Sequence, residues 1–371
     1  MGEIILVFVV AVLMGMSGVA KGQFAQTHFI HNGSKASAMF VLGDSSVDCG
    51  ENTLFYPFLH ENLSLLPCNG SDSTLLPSLL AEKMGLPDSA PFYSQNGSVD
   101  GLLKGLNYGS AKATIMNPGT PSYQSLNQQI RQVFETFQLL QLQLGQERAY
   151  NFIRSSIFYL SFGKDDYVEL FLRNNSEIMV KYSGQQFAQI LVDQMVTAMR
   201  DLYDADARKI VFLGILPLGC TPRTVWEWYN LTAGGNQNGC VEEINELVLE
   251  YNTMLEERIV GLNGELPEAQ IVFCDVYQGI MEIMTNPRIY GFEDATSACC
   301  GLGLNGAMIG CLSIDMACPT ASSHVWWDLY SPTRAVNSLL ADSAWSSEPL
   351  PDICRPGTIH DLVYTSRLPL T

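Results

Sequence analysis

Four short apolar runs, separated by long amphipathic segments, constrain the fold of this chain more than any other feature. Each run is rich in Ile, Val, Leu, Phe or Tyr and shows no strict alternation with polar residues. This pattern is typical of strands that are covered on both faces, as in a parallel sheet between helices. The predicted strands are residues 38–42, 156–162, 209–216 and 270–275, with a weaker fifth candidate at 324–327.

The segments between the predicted strands carry the spacing of amphipathic helices. Apolar side chains recur every three or four residues over 126–140 and over 241–259, which predicts a helix in each. Gly145 and Gly261 are expected near the ends of these helices, where glycine commonly adopts the terminating left-handed conformation. Strands that alternate with helices predict right-handed crossovers and hence an α/β fold, a three-layer α/β/α sandwich with a central parallel sheet.

Residues 36–350 are expected to form one domain, because no internal repeat, low-complexity tract or linker rich in Pro, Gly or Ser interrupts them. Residues 351–371 are predicted to be a C-terminal tail. In an open parallel sheet the functional site lies beyond the carboxyl ends of the strands. The residues that follow the predicted strands are therefore the first candidates for a function.

Residues 1–22 have the pattern of a secretory signal peptide. An unbroken apolar run at 4–14 precedes the small residues Ser17, Gly18 and Ala20, as a hydrophobic region precedes a cleavage zone. The run is shorter than the roughly 20 residues that span a bilayer, which favours cleavage over a retained signal anchor, although the acidic Glu3 weakens the pattern. We expect residues 23–35 to be an N-terminal extension of a secreted, extracellular protein without a stable membrane anchor.

Charge and cysteine content narrow the choice of partners and compartment. The chain has 38 acidic residues against 20 Lys and Arg, a net charge of -18, which opposes binding to nucleic acid and to anionic membranes. Ten cysteines fit an oxidising compartment.

No histidine pair and no C-x-x-C pair has metal-ligand spacing, so no metal or other cofactor is expected.

Six Asn-X-Ser/Thr triplets agree with secretion. Single triplets arise often by chance, but six of them behind a signal peptide predict a glycoprotein. The candidate glycosylation sites are Asn32, Asn62, Asn69, Asn96, Asn174 and Asn230.

Ser45 directly follows the first predicted strand, within Gly43-Asp44-Ser45. A serine in this place can be held as a nucleophile, with the dipole of a following helix to assist it. Taken alone, the tripeptide fits a helix N-cap better, since Ser and Asp both favour that position. The surrounding sequence decides between the two interpretations.

Residues 40–52, FVLGDSSVDCGEN, resemble the opening block of the plant GDSL esterase/lipase family, within the wider SGNH hydrolase group. Further blocks follow in the order of the family at 105–108, 157–166, 216–222 and 327–333. The resemblance spans about residues 38–345. It implies a carboxylic ester hydrolase in which a serine attacks the ester and a histidine, oriented by an aspartate three residues before it, takes the serine proton. Backbone N–H groups and an asparagine side chain hold the oxyanion.

The resemblance carries over only in part. Ser45 keeps the nucleophile position and Asp328 the acid position, but Ser331 occupies the histidine position, Asp165 replaces the oxyanion asparagine, and Lys112 aligns with an oxyanion glycine. A serine hydroxyl cannot accept a proton at neutral pH, and an ionised carboxylate has no proton to donate. Losing the base costs about a million-fold in kcat in subtilisin, and losing one oxyanion donor costs about a hundred- to a thousand-fold.

Two charged residues of opposite sign at neighbouring oxyanion positions predict an ion pair between Lys112 and Asp165 that fills the oxyanion hole. Another histidine could in principle replace the missing base. His324 is the only one near the final block, but on a strand it would lie about 13 Å from Asp328 and far from Ser45. The remaining histidines are His28, His31, His60 and His360.

The cysteines are expected to form several disulfides. Cys49, which replaces a residue that is usually asparagine in the family, is predicted to pair with Cys68, and Cys220 with Cys240, while Cys274 is expected to be a buried free thiol. The family-like group Cys299, Cys300, Cys311 and Cys318 should supply further bridges, whose connectivity the sequence does not give.

Three functional hypotheses follow from these observations. We favour a secreted family member that has lost most hydrolysis and binds an acyl ester, lipid or glycan ligand in the inherited cleft. The alternatives are an active lipid or acyl-ester hydrolase that uses Ser45 with an unconventional base, and an interaction protein that keeps only the fold.

Overall fold

The computed structural model describes residues 36–50, 52, 74–116, 123–173, 176–231 and 239–365. Within these ranges a seven-stranded sheet lies between two layers of helices, as predicted. The strands are β1 (Met39–Gly43), β2 (Ala90–Pro91), β3 (Leu106–Asn107), β4 (Ile157–Ser161), β5 (Lys209–Leu213), β6 (Gln270–Cys274), β7 (Asp294–Ala298), β8 (Gly301–Leu302), β9 (Ile309–Gly310), β10 (His324–Trp326) and β11 (Cys354–Arg355).

The order of strands in the central sheet is β11-β6-β5-β4-β1-β3-β2. All neighbours are parallel except β11, which runs antiparallel to β6. From β1 the chain adds β2 and β3 on one side of the sheet and then β4, β5 and β6 in order on the other, so the topological switch lies at β1 and β4. The register pairs Gly43 with Ser161, and the loops that follow these two residues therefore emerge side by side, where a site is expected.

The helices form two layers that cover the two faces of the sheet. The helices are α1 (Leu76–Met84), α2 (Val99–Leu102), α3 (Leu126–Leu144), α4 (Gln146–Ser155), α5 (Lys164–Asp166), α6 (Glu177–Lys181), α7 (Gly184–Asp204), α8 (Pro222–Leu231), α9 (Glu242–Glu265), α10 (Val276–Thr285), α11 (Arg334–Ser346) and α12 (Ile359–Tyr364). Helices α3, α4, α7 and α9 pack together in one layer, and α1, α10, α11 and α12 in the other.

An aromatic cluster joins the middle of the sheet to the first layer of helices. Phe40 on β1 stacks on Phe158 of β4, with ring centroids 5.4 Å apart, and meets the rings of Phe137 and Phe152 edge-on. Edge-to-face and offset pairs of this kind stabilise a core beyond the burial of their area. The uninterrupted apolar character of these strands follows from burial on both faces.

The predicted elements are confirmed with three differences. Gly145 ends α3 with a φ of 83°, but Gly261 lies inside α9, which continues to Glu265. The strand predicted at 324–327 forms as β10, but it pairs with β7 outside the central sheet. The prediction of a C-terminal tail is wrong for the described residues 351–365, because β11 extends the sheet and α12 buries Ile359 against the core.

Disulfide bonds tie the periphery to this core. Cys220–Cys240 forms as predicted, and the family-like group pairs as Cys299–Cys318 and Cys300–Cys311. The prediction of a free thiol at Cys274 is wrong, since Cys274 on β6 is bonded to Cys354 on β11. Cys49 is also in a disulfide, but Cys68, its predicted partner, lies outside the described residues.

None of the helices in the described ranges combines the length and the hydropathy that a bilayer-spanning segment needs. Among the candidate glycosylation sites, Asn96 is exposed and its side-chain oxygen accepts a hydrogen bond from the Ser98 amide at 3.1 Å. Asn230 lies in α8, and Asn32, Asn62, Asn69 and Asn174 lie outside the described residues. Glycan attachment stays a prediction.

Candidate active site

The candidate site is built on the adjacent carboxyl ends of β1 and β4. The Asp44 amide donates to the carbonyl oxygen of Ser161 at 3.1 Å and fixes the start of the β1 loop. Gly43 is required at this crossing, because a Cβ there would lie 2.5 Å from the Ser161 oxygen and 2.7 Å from a methyl group of Val47. The half-buried Ser45 is thereby carried toward Asp165, which follows β4.

Three donors converge on the carboxylate of Asp165. The Ser45 hydroxyl donates to Oδ1 at 2.6 Å, and the Ser45 amide donates to Oδ2 at 3.0 Å. The Lys112 amide donates to the same Oδ2 at 2.8 Å. Asp165 is only 4% exposed, so these charge-assisted hydrogen bonds form away from bulk water, where they are strong.

The predicted ion pair between Lys112 and Asp165 is wrong. Both residues are described, and the structure joins them through the Lys112 backbone amide, with no ion pair between their side chains. Lys112 has a φ of 65° and its side chain is exposed. This left-handed conformation suits a glycine, and here it directs the amide to the carboxylate while the ammonium group remains in solvent.

Two further buried carboxylates, those of Asp44 and Asp166, fix the backbone around the site. Asp44 accepts hydrogen bonds from the amides of Ser46 at 2.9 Å and Asp165 at 3.2 Å. Burial, and then the charge of Asp165, raises the pKa of Asp44 to about 6, while the positive charge of Lys164 partly opposes this rise.

Asp166 holds the loop that carries Lys112. Its carboxylate accepts hydrogen bonds from the amides of Ile115 at 2.8 Å and Met116 at 3.1 Å. Burial raises the pKa of Asp166 well above its usual value. Two residues of α5 therefore position the Lys112 amide. Asp165 binds it directly, and Asp166 binds the loop three and four residues further on.

Asp328 and Ser331 are close to each other, as their predicted positions require. Asp328 Oδ1 accepts hydrogen bonds from the amides of Tyr330 at 3.0 Å and Ser331 at 2.7 Å, which makes a tight turn after β10. Ser331 and Ser45 line the same pocket. The structure thus brings Ser331 to the site, while the carboxylate of Asp328 is engaged by backbone.

The described histidines lie elsewhere. His324 Nδ1 is 3.1 Å from the Thr320 carbonyl oxygen, and its Nε2 is 3.9 Å from Asp294. His360 packs against the ring of Trp345. Neither contacts Ser45, and His28, His31 and His60 are outside the described ranges. His324 also approaches Cys299 and Cys318, but those sulfur atoms are bonded to each other and are not thiolate ligands.

One charged residue of the pocket was not predicted from the sequence. Lys164, the first residue of α5, is 4% exposed and lines the pocket with Ser45 and Ser331. The available signal was a lysine three residues after the end of the mostly apolar strand β4, where the chain is still buried.

The described residues thus form a parallel α/β/α sandwich with a serine at the end of its first strand, as expected for a serine hydrolase of the GDSL type. The chain belongs to the GDSL-like lipase/acylhydrolase family, which matches residues 39–344.

Relatives with assigned names agree with this family. A GDSL esterase/lipase of Arabidopsis thaliana is 32% identical over 87% of this chain and 88% of its own length. GDSL esterase/lipase 7 of the same organism is 30% identical over 84% of this chain and 88% of its own length. Among solved structures, a possible lipase from Chitinophaga pinensis covers 82% of this chain and 95% of its own, at 11% identity and a TM-score of 0.36.

Proposed function

We propose that this protein is a secreted GDSL-family glycoprotein that has lost most ester hydrolysis and binds a ligand in the inherited cleft. The observation that carries the proposal is the position of Asp165. Its carboxylate accepts hydrogen bonds from the Ser45 hydroxyl, the Ser45 amide and the Lys112 amide. The ligand of the protein is an acyl ester, a lipid or a glycan. The net charge of -18 opposes the binding of nucleic acid.

The two backbone donors on Asp165 are those that the family resemblance assigns to the oxyanion. With the carboxylate in place, the carbonyl oxygen of an ester cannot use the Ser45 and Lys112 amides. A negative charge beside a developing oxyanion also raises the energy of the transition state, because donors stabilise that charge and acceptors repel it. Asp165 therefore acts as an internal occupant of the oxyanion hole.

Proton removal from Ser45 is the second deficiency. Ser331, at the histidine position, lines the same pocket but carries a hydroxyl that is no base at neutral pH. The group that does contact the Ser45 hydroxyl is Asp165, and a carboxylate is ordinarily a weaker base than an imidazole.

A second candidate function is ester hydrolysis with Asp165 as the unconventional base. The 2.6 Å hydrogen bond from Ser45 Oγ to Asp165 Oδ1 favours it, because a general base must lie within hydrogen-bond reach of the proton. The same carboxylate would then have to leave the two amides to admit the oxyanion. A single group cannot serve as base and vacate the site at once, so we favour the binding function.

Labelling with a fluorophosphonate probe, together with turnover of p-nitrophenyl butanoate, tests the proposal. The wild-type protein should give no label above that of Ser45→Ala and no turnover above that of the same variant. The triple variant Ser331→His, Asp165→Asn, Lys112→Gly should gain both. Strong labelling of the wild type that disappears in Ser45→Ala would overturn the proposal in favour of an active hydrolase.

A further inference from the structure

A short hairpin, residues 299–314, exposes a cluster of apolar side chains. Its strands β8 and β9 pair antiparallel with Leu302 opposite Ile309, so these two side chains project from the same face. Each side chain of the cluster is between 46% and 67% exposed, although residues of these types are usually buried. The cluster consists of Leu302, Leu304, Met308, Ile309, Leu312 and Ile314. It is a contiguous stretch of sequence, unlike the single exposed apolar residues that are normal on a protein surface.

Covalent bonds and a hydrogen bond hold this hairpin in place. The disulfides Cys299–Cys318 and Cys300–Cys311 close it at its base. Arg223, near the start of α8, donates from Nη1 to a backbone carbonyl oxygen of the hairpin at 2.8 Å. Because the exposed side chains stand on a restrained backbone, little conformational entropy is lost when they bind to another surface.

The hairpin lies against the turn that carries Ser331. Gly310 approaches this turn so closely that a Cβ on it would lie 3.3 Å from a methyl carbon of Leu329. The Arg223 amide also donates to the Leu329 carbonyl oxygen at 3.2 Å. Since Ser331 and Ser45 line one pocket, a surface that binds the hairpin comes near the candidate site.

The composition of the hairpin favours an uncharged lipid surface over a protein partner. Residues 299–314 contain no charged and no aromatic side chain, in a chain with a net charge of -18. Protein interfaces depend on Trp, Tyr and Arg anchors, which the hairpin lacks. Its exposed apolar area is on the order of 500 Å², less than the roughly 800 Å² that each partner of a standard protein interface buries. The same shortfall disfavours a stable dimer.

We propose that this hairpin docks the protein reversibly on lipid surfaces of no net charge, with its apolar side chains at the boundary between head groups and acyl chains. The docking is shallow, because backbone groups that are not paired within the hairpin must stay among the polar head groups. Anionic lipids are disfavoured, since the net charge of -18 repels them. The inference goes beyond the proposed function, because it does not depend on whether Ser45 hydrolyses esters.

Flotation of the purified protein with phosphatidylcholine vesicles tests the proposal. The wild type should float with the vesicles, and Leu302→Ser with Ile309→Ser should lower the partition coefficient at least tenfold, because two apolar side chains no longer leave water. Leu142→Ser with Val260→Ser removes two exposed apolar side chains from α3 and α9. This matched control should float as the wild type does. Vesicles that contain phosphatidylserine should bind less protein at low ionic strength.

Leu312→Asp is a second variant, at the most exposed side chain of the hairpin. It should abolish flotation, because a charge is costly to move out of water, and it should melt at the same temperature as the wild type, because the side chain is largely in solvent. Ser45→Ala should float as the wild type does. Loss of flotation would therefore leave the result of fluorophosphonate labelling untouched, and labelling of the wild type would leave the docking proposal untouched.

Four results would overturn the docking proposal. The first is no flotation of the wild type, and the second is flotation of the folded hairpin variants within twofold of the wild type. The third is tighter binding to vesicles that contain phosphatidylserine. The fourth is a dimer in light scattering that dissociates in Leu302→Ser with Ile309→Ser, which would assign the apolar cluster to contact with a second copy of the chain.

Discussion

The hydroxyl of Ser45 donates a hydrogen bond to Asp165 at 2.6 Å, and the amide of the same serine donates to the second oxygen of that carboxylate at 3.0 Å. Ser45 and Asp165 are 120 residues apart in sequence, and they meet because β1 and β4 are adjacent and in register. The serine at the end of the first strand is therefore held by an acidic side chain on the neighbouring loop.

Replacement of Asp165 should destabilise the fold as well as alter the site. Asp165→Ala leaves the Lys112 amide and both donors of Ser45 without their acceptor, and we expect a loss of about 3 kcal/mol in the free energy of unfolding. Asp165→Asn keeps one acceptor oxygen and should lose about half of that. Urea unfolding measures both, with the exposed Glu246→Ala as control. Equal stability of Asp165→Ala and the wild type would contradict the structural role of the carboxylate.

Lys112→Gly should stabilise the protein. A side chain at a φ of 65° is strained, at about 1–2 kcal/mol, and glycine removes this strain while it adds some entropy to the unfolded chain. We expect a net gain of about 0.5–1 kcal/mol. Lys112→Ala is the matched control, because it removes the ammonium group and keeps the strained backbone. A gain of equal size in Lys112→Ala would assign the effect to charge instead of conformation.

Asp44 should make stability fall as the pH rises from about 4 to 6. Burial raises its pKa from 3.8 to about 6 in the folded protein, so the folded state binds the proton more tightly than the unfolded chain does. The stabilisation that Asp44 gives the folded state by this tighter proton binding is complete below pH 3.8 and is lost as the pH rises through about 6. The pKa difference corresponds to about 3 kcal/mol.

Urea unfolding of the wild type and Asp44→Asn at several pH values isolates this contribution, because the other titrating groups are common to both proteins. The difference in unfolding free energy between them should change by about 3 kcal/mol across this interval. A difference that does not vary with pH would show that Asp44 titrates alike in both states.

Two of the disulfides, which close loops of very different length, should differ in how much they stabilise the protein. Cys274–Cys354 closes a separation of 80 residues, whereas Cys300–Cys311 closes one of 11. A longer closed loop restrains the unfolded chain more. We expect Cys274→Ala with Cys354→Ala to lose about 4 kcal/mol, and Cys300→Ala with Cys311→Ala about 3 kcal/mol. Calorimetric unfolding of the two double variants measures the order, and a reversed order would contradict the loop-length argument.

The sheet could be predicted from the sequence because burial on both faces leaves a direct trace in composition. The long strands of the central sheet are mostly apolar, as in β4 with its residues IFYLS. β11 has no such trace: two residues at the edge of a sheet carry too little pattern, and its attachment depends on a disulfide that the sequence does not specify. β10 was predicted as a strand, but its partner β7 contains DATSA, which lacks the apolar run of a core strand.

The sequence predicts which residues form the candidate site better than it predicts how they contact each other. Ser45, Lys112 and Asp165 do converge, but the sequence cannot say whether Lys112 contributes its backbone or its side chain. That choice depends on a φ of 65°, which a lysine seldom adopts and composition does not encode. Lys164 escaped prediction because a lysine is ordinarily exposed, and only the packing around α5 shows that it is buried.

The short strand β11 also has a bearing on association between molecules. It covers the backbone edge of β6, whose residues QIVFC would otherwise present unpaired amides and carbonyls on a strongly apolar strand. Exposed edges of this kind recruit strands from other chains. At the opposite edge of the sheet the strand β2 ends in Pro91, which has no amide hydrogen to donate to a strand of another molecule. Reduction of Cys274–Cys354 should therefore destabilise each molecule and also expose the edge of β6, through which many copies can pair into aggregates.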